Sequence, residues 1–75
     1  MINEHDLADW EQLEAAPLYS VPRQRYINWL GEYYWFDHID GMYSYCMTMN
    51  GNVAHISASA IVNELRKPEK TDDTV

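Results

Sequence analysis

The 75 residues carry twelve Asp or Glu against five Lys or Arg, a formal charge of -7, with 13% aromatic residues and one cysteine. This length allows one domain with a thin core, and the lone Cys46 excludes an internal disulfide framework and fits a reducing compartment. The acidic balance opposes nucleic-acid binding, which rewards cations that neutralise phosphates, and opposes docking on anionic lipid.

The first fourteen residues hold five acids and no Lys or Arg, unlike a secretory signal. No apolar run approaches the ~20 residues needed to cross a bilayer. A cytoplasmic protein is expected, and a larger protein with a basic surface is the partner its charge favours.

Residues 3–16 read as a helix: Asn3 can cap it, Pro17 stops it, and Leu7, Trp10 and Leu13 recur every third residue as one apolar stripe. Glu4, Asp6, Asp9 and Glu11 give this element an acidic face. Glu11 and Glu14 oppose the helix dipole, which points to a use of that charge beyond helix stability, against the plainer and favoured reading of a solvated face. After a linker over 17–22, Pro22 is placed to open a second helix and Gly31 to end it, with Tyr26, Ile27, Trp29 and Leu30 as its apolar face.

Eight of the ten aromatic residues lie between Tyr26 and Tyr45. Residues 33–39, 42–49 and 53–57 are rich in aromatic and β-compatible side chains, and Asp40-Gly41 and Asn50-Gly51 between them are strong signals for tight hairpin turns. They predict a three-stranded antiparallel meander. Ser57 or Ser59 can cap a last helix carrying Ile61, Val62 and Leu65, closed by Arg66, Lys67 and Pro68. The expected fold is therefore α+β: two N-terminal helices, a three-stranded β-meander and a short C-terminal helix in one domain over 1–67. A disordered tail is expected over 68–75.

Two-residue turns at both dipeptides would pair Ile39 with Met42 and put Tyr34, Phe36 and His38 opposite Met47, Tyr45 and Tyr43 on a core face. The other face would carry Tyr33, Trp35, Asp37 and Ile39 opposite Thr48, Cys46, Ser44 and Met42. Large rings among polar groups make that second face the candidate binding surface. The candidate partner-binding residues are Glu4, Asp6, Asp9, Glu11, Tyr33, Trp35, Asp37, Ile39 and Met42.

The same register would make Cys46 and His55 cross-strand neighbours near Asp37, superficially a nucleophile, a base and an orienting acid. Nothing in the sequence supplies an oxyanion hole or a cleft, and a free Cys is commonly a core residue. Asp37, His55 and Cys46 are also the only residues that could converge on a metal, and structural zinc usually takes four Cys or His ligands. Neither a catalytic nor a metal site is expected, and no cofactor. A short winged helix would fit the order of elements, but a recognition helix facing DNA should be basic.

The expected function is that of a small acidic module that binds a larger protein as a stoichiometric modulator or inhibitor. One version, by analogy with compact accessory proteins of phages and mobile elements, occupies the basic nucleic-acid-binding surface of a host enzyme. The alternatives are a homo-oligomer, as small as a homodimer, joined through the aromatic sheet face, and a small enzyme or enzyme subunit using Cys46 and His55.

Overall fold

The computed structural model describes residues 4–68. In chain order the elements are α1 (Glu4–Leu7), β1 (Glu11–Gln12), β2 (Ala16–Pro17), a 3-10 turn (Leu18–Ser20), β3 (Arg25–Trp29), β4 (Glu32–Asp40), β5 (Tyr43–Thr48), β6 (Val53–Ala54) and β7 (Ile61–Arg66). All strands pair antiparallel in one sheet ordered β1-β7-β3-β4-β5-β6, with β2 also on β7. The protein is therefore mostly β, and the α+β expectation is corrected. Of the tail expected over 68–75, only Pro68 lies within the described residues, as Asn3 lies outside them.

The first expected helix ends at Leu7. Ala8 N–H donates to Glu4 C=O at 3.2 Å, but the next two amides reach back only three residues, to Asp6 and Leu7. The helix tightens and stops, and Glu11 and Gln12 instead pair with Arg66 and Leu65 of β7. Acids at 9, 11 and 14 would have faced the negative end of a longer helix dipole.

The second expected helix is strand β3, and its apolar residues serve the sheet by alternation: Ile27 and Trp29 face inward while Tyr26 faces out. Gly31 does have a left-handed φ of +83°, the property that suggested a helix cap. It uses it with Leu30 (φ +56°) as the two-residue loop between the paired residues Trp29 and Glu32. Two positive φ angles are what a type I′ hairpin turn requires.

The C-terminal helix is likewise a strand. Val62 and Leu65 are both 1% exposed, and a spacing of three puts them on opposite faces of β7. Val62 joins the central core, whereas Leu65, like Leu7, is buried outside it. Covering on both sides of β7 imitates the spacing of a helix.

The meander exists and runs further than expected, because residues 52–66 join its two edges. The first half of this segment pairs with β5: Cys46 faces Ala54, and Ser44 N–H donates to Ile56 C=O at 2.8 Å. The second half pairs with β3, Ile27 facing Glu64, and with β2, Ala16 facing Val62. The sheet thus rolls around one interior of Leu18, Val21, Ile27, Phe36, Cys46, Ile56 and Val62, with Trp29, Tyr34, Ile39, Ala54 and Ala60 packed against it. Ser44 is buried among them, its hydroxyl donating to Ile56 C=O at 2.8 Å and accepting from Ile56 N–H at 3.2 Å.

Both turn dipeptides mark hairpins, each displaced from its expected register. Asp40 pairs with Tyr43, leaving Gly41 and Met42 as the loop, and a bulge between Phe36 and His38 then shifts the ladder so that Phe36 faces Cys46 and Trp35 faces Met47. The second loop has three residues, 49–51, closed by Thr48 N–H to Asn52 C=O at 2.7 Å and Gly51 N–H to Thr48 C=O at 3.0 Å. A one-residue change reverses which side chains of a strand face the core. Ser44 and Cys46 go inside, and Tyr43, Tyr45 and Met47 go outside.

Candidate functional site

The alternation that buries Ile27, Phe36 and Cys46 turns Tyr26, Trp35 and Met47 to the outer face of β3, β4 and β5, where they sit side by side. The Tyr26 and Trp35 rings lie 4.8 Å apart at 65°, and Trp10 from the N-terminal segment meets Tyr26 edge-on at 5.6 Å and 90°. These are favourable aromatic geometries. The three rings thus pack against one another in a row. Beside Tyr26 and Trp35 a groove of about 310 Å³ is lined by these two residues with Met47, Thr48 and Met49.

The groove continues at both ends. Past Met49 and Thr48 it opens into a polar depression lined by Glu4, Gly31, Glu32, Tyr33 and Asn50. Past Tyr26 and Trp35 it reaches a depression of about 350 Å³ bounded by Trp10, Arg25, Glu64 and Arg66. Two of the cations at that end are paired, Arg25 Nε lying 3.3 Å from Glu64 and Arg66 Nη2 donating to Glu11 at 2.9 Å, and Lys67 lines the same depression. At the other end Glu32 accepts from the Tyr34 hydroxyl at 3.5 Å, and neither Glu4 nor Glu32 has an ion pair among the described residues.

One step along the same outer face, His38, Tyr45 and His55 form a row across β4, β5 and the segment after β6. The His38 and Tyr45 rings stack at 5.5 Å, and Tyr45 meets His55 edge-on at 5.4 Å. Each imidazole is held through Nδ1, His38 against Asp37 at 2.5 Å and His55 against Ser44 C=O at 3.1 Å.

Three hydroxyl and thiol groups have raised pKa values. Burial pushes up the Tyr26 hydroxyl. Burial first, and then the neighbouring Glu32 carboxylate, pushes up Tyr34. Burial raises the Cys46 thiol, and its hydrogen bond with Ser44 works against that rise.

The expected binding residues divide. Glu4, Tyr33 and Trp35 meet along the groove and its acidic end. Asp6 lies on α1 and Asp9 follows it, while Glu11 is engaged with Arg66. Asp37 sits in the bulge beside His38, and Met42, 80% exposed, is at the hairpin tip. Ile39 is removed from the surface set, because beyond the bulge it points into the core.

Cys46 and His55 are not neighbours: Cys46 faces the interior opposite Ala54, and His55 lies on the outer face. Asp37, His55 and Cys46 do not converge, and among the described residues no group of three or more His, Cys, Asp or Glu could hold a metal ion. Tyr26, Met47, Met49 and Glu32 are the groove residues that sequence reasoning missed. A register one residue different on β5 would have exposed Met47; Tyr26 was hidden by reading its strand as a helix.

Among the described residues no helix is long and apolar enough to cross a membrane. The chain matches no protein-family model, and no curated protein and no solved structure shows significant similarity to it.

Proposed function

We propose that this chain is a small acidic module that docks on a larger intracellular protein through the outer groove and modulates it stoichiometrically. The observation that carries this reading is the unbroken lining from Glu4 and Glu32 through Met49, Met47 and Trp35 to Tyr26. Aromatic and Met side chains are enriched in interface cores, and a few such anchors supply most binding energy. Here they are held on the face of the sheet that the interior does not use. A net charge of -7 steers the module toward a basic surface, such as the nucleic-acid cleft of an enzyme, and docking there would exclude the natural polyanion.

Affinity capture from a cell extract with three baits tests the reading: wild type, Trp35→Ala, and Glu4→Lys/Glu32→Lys. A protein held by the wild type and lost from both variants supports it. Equal capture by all three baits overturns it.

A further inference from the structure

Building on the docking role proposed above, we infer that the groove takes an extended segment of the partner in which a large apolar side chain adjoins Lys or Arg. The apolar group lies over Trp35 and Met47, and the cation occupies the depression shared by Glu4 and Glu32.

The charges along the groove dictate this polarity. At the Arg25 and Arg66 end those two cations face Glu64 and Glu11 and Lys67 also lines the depression, so a further cationic group gains little there. At the other end Glu4, Glu32 and Tyr33 line one depression, neither acid has an ion pair among the described residues, and Glu32 accepts from the Tyr34 hydroxyl. A cation entering there meets two acidic residues without an ion pair among the described residues and an aromatic residue beside them. The middle of the groove is lined by Tyr26, Trp35, Met47 and Met49 with Thr48, which suits an apolar group.

The three depressions share lining residues: Thr48 and Met49 join the acidic one to the middle, and Tyr26 and Trp35 join the middle to the far end. An extended chain crossing the strands can touch all three. A second copy of this chain is a poorer occupant than a basic segment, because each copy carries a net charge of -7 and two copies repel.

The test uses methyl NMR of the full chain, whose four Met residues include Met47 and Met49 in the groove and Met42 at the hairpin tip. Three peptides are titrated: Ac-Gly-Lys-Arg-Leu-Phe-Gly-amide, the same with Glu-Glu for Lys-Arg, and the same with Gly-Gly for Leu-Phe. The cationic apolar peptide is expected to shift Met47 and Met49 and to leave Met42 unmoved. The other two should bind at least about fivefold more weakly, and Glu4→Gln/Glu32→Gln should cost the first peptide a similar factor. Because both carboxylates are exposed, that variant keeps the fold.

Equal binding of the Glu-Glu peptide at Met47 and Met49 overturns the cation preference and leaves the docking reading standing. No shift of either methyl with millimolar cationic peptide, while the capture experiment still depends on Trp35, overturns the inference alone. Dimerisation in sedimentation with loss of those shifts overturns it in favour of a second copy.

Discussion

Trp35 and Met47 face each other across β4 and β5 on the outside of the rolled sheet. The bulge between Phe36 and His38 makes them neighbours, since an unbroken ladder from the Asp40–Tyr43 pair would set Trp35 opposite Thr48 instead. One extra residue in β4 thereby decides which side chains of β5 line the groove, and bulges commonly re-aim side chains in this way.

The strand assignment of 61–66 is testable by stability. Val62 is 1% exposed and the adjacent Ile61 is 58% exposed. Val62→Ala should cost about 2 kcal/mol and Ile61→Ala under about 0.5 kcal/mol, read from urea midpoints at unchanged m-value. Similar losses at both positions would contradict the alternation.

Leu30 holds a φ of +56° while 81% exposed, so it bears left-handed backbone strain with little burial to offset it. Leu30→Asn should create the favoured Asn-Gly loop with Gly31 and stabilise the protein by up to about 1 kcal/mol. A lower melting temperature in this variant would contradict the hairpin.

The fold was half legible in the sequence, and the reasons are local. Asp40-Gly41 and Asn50-Gly51 located their hairpins because a glycine there must take positive φ, as Gly41 (+68°) and Gly51 (+90°) do. What those dipeptides could not reveal is the loop length, which depends on pairing across the whole ladder. Gly31 carries the same signal, but a left-handed glycine ends a helix as readily as it turns a hairpin. Leu7, Trp10 and Leu13, and again Val62 and Leu65, showed helical spacing because a segment covered on two sides buries residues outside simple alternation. For the site, Trp35, Tyr33 and Glu4 were legible as exposed rings and acids; Met47 and Tyr26 depended on the register and on the strand that sequence alone did not reveal.

Cys46 should react slowly with a thiol reagent at neutral pH, because burial raises its pKa and the sheet encloses it. The labelling rate should follow opening of the sheet, rising steeply with sub-denaturing urea, and His55→Ala should leave the native rate unchanged. Fast labelling that His55→Ala abolishes would restore the Cys/His enzyme.

Alkaline pH should destabilise the fold. The Tyr26, Tyr34 and Cys46 pKa values are all raised in the folded state, so above the ordinary values the unfolded chain loses these protons first. Stability from these groups is complete below those values and declines as pH rises through about 9 to 11 and beyond. Tyr26→Phe should flatten this decline in urea unfolding followed from pH 8 to 11. An unchanged slope would show that Tyr26 ionises equally in both states.

The central claim, that the outer groove is the docking surface, is tested most directly on the methionine methyls of the chain in a one-to-one complex with its captured partner. Met47 and Met49 should shift and broaden while Met42 keeps its free position, and Trp35→Ala should abolish the change. Perturbation of Met42 with Met47 and Met49 unmoved would place the interface at the hairpin tip and contradict it.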